Sequence, residues 1–136
     1  MALFAGVARQ AEAAEVGAAI NPGTISQLAS AQVLASGASI AATTILASAP
    51  GTVSVEFEII ASTAGASGTV VLAIKYTDAV TGNVTTFTNP SFSLATANAA
   101  TVGGGLLRCK PGTPIQYVTT WSTAGKYDLL VSVEAI

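Results

Sequence analysis

The sequence predicts a mainly β chain: an antiparallel β-sandwich, jelly-roll-like, carrying an N-terminal alanine-rich arm that is either helical or a frayed tail. Three observations lead there. Beyond residue 50, apolar residues recur with a period of two. That is the period of a strand with one buried face. The runs between these stretches are rich in Gly, Pro, Asn, Asp and Ser, the residues of tight turns. The chain also divides in composition. Residues 1–50 hold 16 of the 27 alanines and one aromatic, Phe4, while residues 51–136 hold the other seven aromatics and nine of the twelve charges. A core is built from aromatic and β-branched side chains, so the expected domains are an arm with possible first strands over 1–50 and a β-sandwich over 51–136.

Residues 2–19 have high helix propensity. Phe4, Val7, Ala11 and Ala14 share one stripe at helical spacing, with Arg9, Glu12 and Glu15 on another face. Asn21-Pro22-Gly23 is a stop. So short a helix is marginal in water and orders only by docking. Phe4, Val7, Ala11, Ala14 and Ile20 are therefore the candidate assembly contacts of the arm. Short strands are expected at 31–35 and 39–47. In 52–59, Val53, Val55, Phe57 and Ile59 face one way, and Ser54, Glu56 and Glu58 the other. In 69–77, Val70, Leu72, Ile74 and Tyr76 alternate with Thr69, Val71, Ala73, Lys75 and Thr77. Further short strands are expected at 84–88, 91–96 and 105–109, with Gly103-Gly104-Gly105 as a hairpin tip. The run 113–121 groups Ile115, Tyr117, Thr119 and Trp121. The run 126–136 groups Tyr127, Leu129, Val131, Val133 and Ala135. Eight or nine strands joined by short turns make a sandwich.

Composition excludes many functions. Histidine is absent and there is a single cysteine, Cys109. A Ser-His-Asp triad, a His-ligated metal and an intramolecular disulfide are therefore impossible. A net charge of −2 argues against direct nucleic-acid binding. No charge lies between Glu15 and Glu56, but that stretch is interrupted by Asn21, Pro22, Gln27, Gln32 and Pro50, so no membrane helix is expected. Arg9, Glu12 and Glu15 break any signal-peptide core, so an unprocessed product made in the cytoplasm is expected.

The polar residues offer little chemistry. Glu56 and Glu58 at i, i+2 share a solvated strand face rather than a catalytic cleft. Asp78 opens a turn, with its carboxylate on backbone amides. Cys109 lies between Arg108 and Lys110, but neighbours on a strand point to opposite faces, so a small core-facing residue is expected. Trp121, Tyr117 and Tyr127 are expected to pack in the core rather than stack on sugars or bases. No enzyme activity, cofactor or metal is expected.

The run GASGTVVLAIKYTDAVTGN (65–83), followed by KPGTPIQYVTTWSTAGKYDLLVSVEAI (110–136), resembles small structural proteins of tailed-bacteriophage virions. The features that carry the resemblance are a strand ending in YTDAVTG, the stretch GTPIQYVTTW and the closing strand YDLLVSVEAI. It covers about residues 51–136 and is a pattern of strand and turn composition. The resemblance implies a virion component such as a capsid decoration protein or head fibre, with no catalytic residues to carry over. The rest of the chemistry agrees. Only 9% of residues are charged and the mean hydropathy is +0.62, against about 25% charged in a soluble domain. So bare a surface is suited to burial against other chains. The expectation is a homo-oligomer, a trimer favoured, that binds the major capsid protein or other virion proteins. A tail, fibre or adhesin module that binds a receptor or glycan is the alternative.

Overall fold

A computed structural model describes residues 27–136. They form nine strands and no helix: β1 (Gln27–Ser36), β2 (Ile40–Leu46), β3 (Thr52–Thr63), β4 (Thr69–Thr77), β5 (Val84–Thr88), β6 (Phe92–Ser93), β7 (Ala100–Arg108), β8 (Ile115–Ser122) and β9 (Lys126–Ala135). One sheet has the order β1-β9-β3-β7 and the other β2-β8-β4-β5, with β6 also on β4. Every ladder is antiparallel. With the two-residue β6 set aside, the first strand pairs with the last, the second with the last but one, the third with β7, and β4 with β5. Four nested strand pairs rolled into two facing sheets are a jelly roll.

The period of two places the core as expected. Val53, Val55, Phe57, Ile59 and Ala61 of β3 are buried. They meet Val70, Leu72 and Ile74 of β4, Ile115 and Tyr117 of β8, and Leu129, Val131 and Val133 of β9. Each large apolar side chain taken from water stabilises the fold by about 1.5–3 kcal/mol. All four of these strands lie inside their sheets, with neighbours on both sides.

The sandwich does not start at residue 51. Strands β1 and β2 fall within 1–50, and each is the outer strand of one sheet. An edge strand needs only one partner and one apolar face. Alanine-rich β1 therefore suffices: Ala31 and Val33 pack on the core while Ser30 and Gln32 face outward. The hairpin tip expected at Gly103-Gly104-Gly105 is instead the middle of β7, paired with Val55, Glu56 and Phe57. Phe57 fills the space where Gly103 would carry a side chain. A Cβ on Gly104 would run into the Val55 carbonyl. The glycines serve close packing here rather than a turn. Phe4, Val7, Ala11, Ala14 and Ile20, like the expected helix at 2–19, lie outside the described residues.

One buried polar chain ties the sheets together. Ile40 N–H donates to Thr119 Oγ1 (3.0 Å), Thr119 Oγ1 lies 2.6 Å from the Tyr127 hydroxyl, and that hydroxyl donates to the Ala38 carbonyl (2.9 Å). At the same end of the sandwich, the 64–68 loop is pressed against the 122–125 loop. Gly68 abuts the Ala124 carbonyl, and Trp121 Nε1 donates to the Gly125 carbonyl at 3.2 Å.

Candidate assembly surface

Strand alternation dictates what the sheets present outward. An adjacent apolar pair on a strand must turn one member to each face. Such pairs in the β1-β9-β3-β7 sheet are Val33-Leu34, Leu106-Leu107 and Leu129-Leu130, and also Ile59-Ile60, whose outward member Ile60 is half-buried. Val33, Leu107 and Leu129 pack on or in the core, while Leu34 (67% exposed), Leu106 (65%) and Leu130 (45%) face outward. Leu28 and Val102 (73%) join them. Five of the eight exposed large apolar residues among those described thus stand on this one sheet. The apolar doublets are the sequence signal for them, since a strand with one buried face needs no second apolar residue beside the first.

Between Val102 and Leu106, the missing side chain of Gly104 opens a groove of about 690 Å³. Its walls include Val102 and Leu130, and its floor Glu56, Glu58 and Ser132. Glu56 and Glu58 therefore lie on a solvated strand face, as expected, but within an apolar frame. Asp128 and Glu134 also alternate outward on β9. Four of the five described acidic side chains thus face one way, the exception being Asp78.

Charge is almost absent from the sheet margins. The four outer strands β1, β2, β5 and β7 carry one charged residue in all, Arg108 at the end of β7. Soluble proteins usually guard such edges with charge, proline or bulges.

The remaining candidates are structural. Asp78 Oδ2 accepts hydrogen bonds from Thr81 N (2.8 Å), Val80 N (3.0 Å) and the Thr81 hydroxyl (3.1 Å). The Thr81 amide is the main cause that holds the Asp78 carboxyl below its ordinary value, with the Thr81 hydroxyl, the Val80 amide and nearby Arg108 adding to it. Cys109 is buried and bridges to Asp78. Burial, and then the Asp78 carboxylate, push its thiol up rather than down. Tyr117 and Tyr127 are buried and Trp121 packs against the core. Among the described residues, no three His, Cys, Asp or Glu side chains gather as a metal site, and no helix is long and apolar enough to cross a membrane. Comparison with family models, with curated proteins and with solved structures finds no match to this chain.

Proposed function

We propose that this chain is a structural protein of a bacteriophage virion, a capsid decoration protein that binds the assembled shell as a homo-oligomer and stabilises it without chemistry. The observation that carries the reading is the outward apolar set on the β1-β9-β3-β7 sheet, framed by edge strands that hold a single charge. A surface of this kind is costly in water and useful only when covered. The strand and turn pattern of 65–83 and 110–136 that resembles tailed-phage virion proteins supports the same reading. Its partners would be the major capsid protein and further copies of itself.

The mechanism is linkage. A protein that binds the assembled shell and not its free subunits shifts the equilibrium toward the shell by mass action. Several contacts per oligomer raise the effective concentration of each. The apolar contacts of that face hold at high salt, unlike an interface built on exposed ion pairs, and its four carboxylates add the salt-dependent part. The test strips the protein from particles, measures their rupture temperature, and adds it back. Weaker stripped shells and restored decorated ones support cementing. Equal strength overturns it and leaves a tail, fibre or adhesin role to be read from where the chain maps on the particle.

A further inference from the structure

The four outer strands are not equivalent. The β1–β9 ladder has two register shifts, and Ala35 near its end has a φ of 50°. The β2–β8 ladder also shifts register twice. The edge formed by β5 and β6 is broken by Asn89-Pro90, and β5 spans only five residues. Bulges and prolines are the devices that stop an edge from pairing with another chain. Strand β7 has none of them. It runs from Ala100 to Arg108 in unbroken register with β3, contains no proline, and holds no charge before Arg108. Its only ladder among the described residues is the one to β3, and all but Thr101, Gly103 and Leu107 are exposed. The Arg108 carbonyl is capped by Ala79 N–H at 2.8 Å, which closes the strand at that end.

The side chains of β7 are also nearly symmetric about Gly104. Val102 and Leu106 flank it on the outer face, and Gly103 and Gly105 face inward next to it. We propose that β7 is a homotypic edge: it pairs antiparallel with β7 of a second copy about a two-fold axis at Gly104, which joins two four-stranded sheets into one of eight strands. This register sets Val102 of each copy against Leu106 of the other, on the outer face, twice. Gly103 meets Gly105, so nothing bulky obstructs the approach. No like charges are brought face to face on the strand itself, because β7 has none in the paired stretch. Roughly six backbone hydrogen bonds form. The two grooves on the Glu56 and Glu58 floors become continuous across the axis. The contact deepens the assembly reading, resting on it only for the premise that copies meet. It replaces the trimer expected from composition with a two-fold pair, since an isologous contact closes at two.

The full chain should sediment as a dimer at micromolar concentration. Val102→Lys with Leu106→Lys places charge on two exposed positions and should give a folded monomer with an unchanged circular dichroism spectrum. Disulfide trapping reads the register. Opposed residues have Cα atoms about 4.5–5.5 Å apart, inside the range of about 4.4–6.8 Å that a disulfide spans. Val102→Cys mixed with Leu106→Cys should cross-link on oxidation. Either variant alone should not, because like positions lie about 14 Å apart along the strand. A wild-type monomer, a trimer, or a dimer that persists in the double lysine variant and fails to cross-link overturns the pairing. A trimer would do so while leaving the assembly reading intact. A clean β7 dimer that never appears on particles would do the reverse.

Discussion

The Tyr127 hydroxyl lies 2.6 Å from the hydroxyl of Thr119, and the two residues belong to opposite sheets. The pair is the middle of a polar chain that starts at Ile40 N–H and ends on the Ala38 carbonyl, so it fixes the β1–β2 connection to both layers at once. Tyr127→Phe leaves the buried Thr119 hydroxyl without its Tyr127 partner, while the Ala38 carbonyl keeps the Ser36 hydroxyl at 3.2 Å. The expected loss is about 1–3 kcal/mol, the usual cost of an unpaired buried polar group. Thr119→Val should cost a similar amount, and the double variant less than the sum, because both changes break one chain. Urea titrations of the four proteins measure this directly.

The contact between Gly68 and Ala124 makes a second prediction. A Cβ at Gly68 would fall inside the Ala124 carbonyl, so Gly68→Ala must push two loop backbones apart. Gly37 offers the control, since its nearest neighbour to an added Cβ is the Lys126 Cγ at 3.5 Å, an ordinary contact. Gly68→Ala is expected to destabilise by about 3 kcal/mol or more, and Gly37→Ala by about 0.5 kcal/mol or less. Parallel thermal melts should separate the two by many degrees.

Asp78 gives the pH dependence. Its amide bonds lower the folded-state pKa below the ordinary value of 3.8. A depressed carboxylate contributes stability that is complete above the unfolded value and is lost as pH falls through the folded one. The stability gap between wild type and Asp78→Ala should therefore be flat above about pH 5 and shrink as the solution is acidified below about pH 4. A gap that widens on acidification would contradict the sign.

The thiol of Cys109 should be inert in the folded protein. It is buried, and both its causes of shift favour the protonated form. Only the thiolate reacts with alkylating and disulfide reagents. Labelling should be negligible in buffer and should rise with denaturant in step with unfolding. Rapid labelling of the native chain would place Cys109 elsewhere.

Leu129 and Leu130 separate stability from assembly. Leu129 is buried, so Leu129→Ala should cost about 2–5 kcal/mol in unfolding experiments. Leu130 lines the outward groove. Leu130→Ala should leave the melt within about 0.5 kcal/mol of wild type and reduce retention on particles. Equal retention would move the shell contact to another surface.

Most of the core could be read from the chain before any coordinates, because β3, β4, β8 and β9 lie inside their sheets and alternate cleanly. The 69–77 strand matched to the residue. Strand β7 begins at Ala100 rather than at the expected 105, because three consecutive glycines that read as a turn continue the ladder. Only the long-range fit of Phe57 over Gly103, and of Val55 against Gly104, makes them a strand. The two strands expected within 1–50 are present as the outer strands of the sheets, so the sandwich extends ahead of residue 51. Edge strands such as QLASAQVLAS need little apolar mass, so composition understated them. The outward surface was half legible. The doublets at 33–34, 106–107 and 129–130 required an exposed apolar residue each, but which member faced out depended on the register of the whole sheet.

The nesting of the strands has a consequence for biosynthesis. Strand β1 pairs only with β9, and β2 only with β8, among the described strands. A chain leaving the ribosome therefore exposes both early strands while β3 to β7 emerge, and neither finds its partner until residues 115–135 follow. Such non-local closure is slow, and unpaired strands invite misassembly during the wait. Strand β1 meets that hazard with small or polar side chains at seven of its ten positions, in QLASAQVLAS, rather than with the bulky alternation of β3 and β9. Its alanine-rich composition is thus a form of patience: a strand soft enough to remain solvated until the last-made part of the chain arrives to take it in.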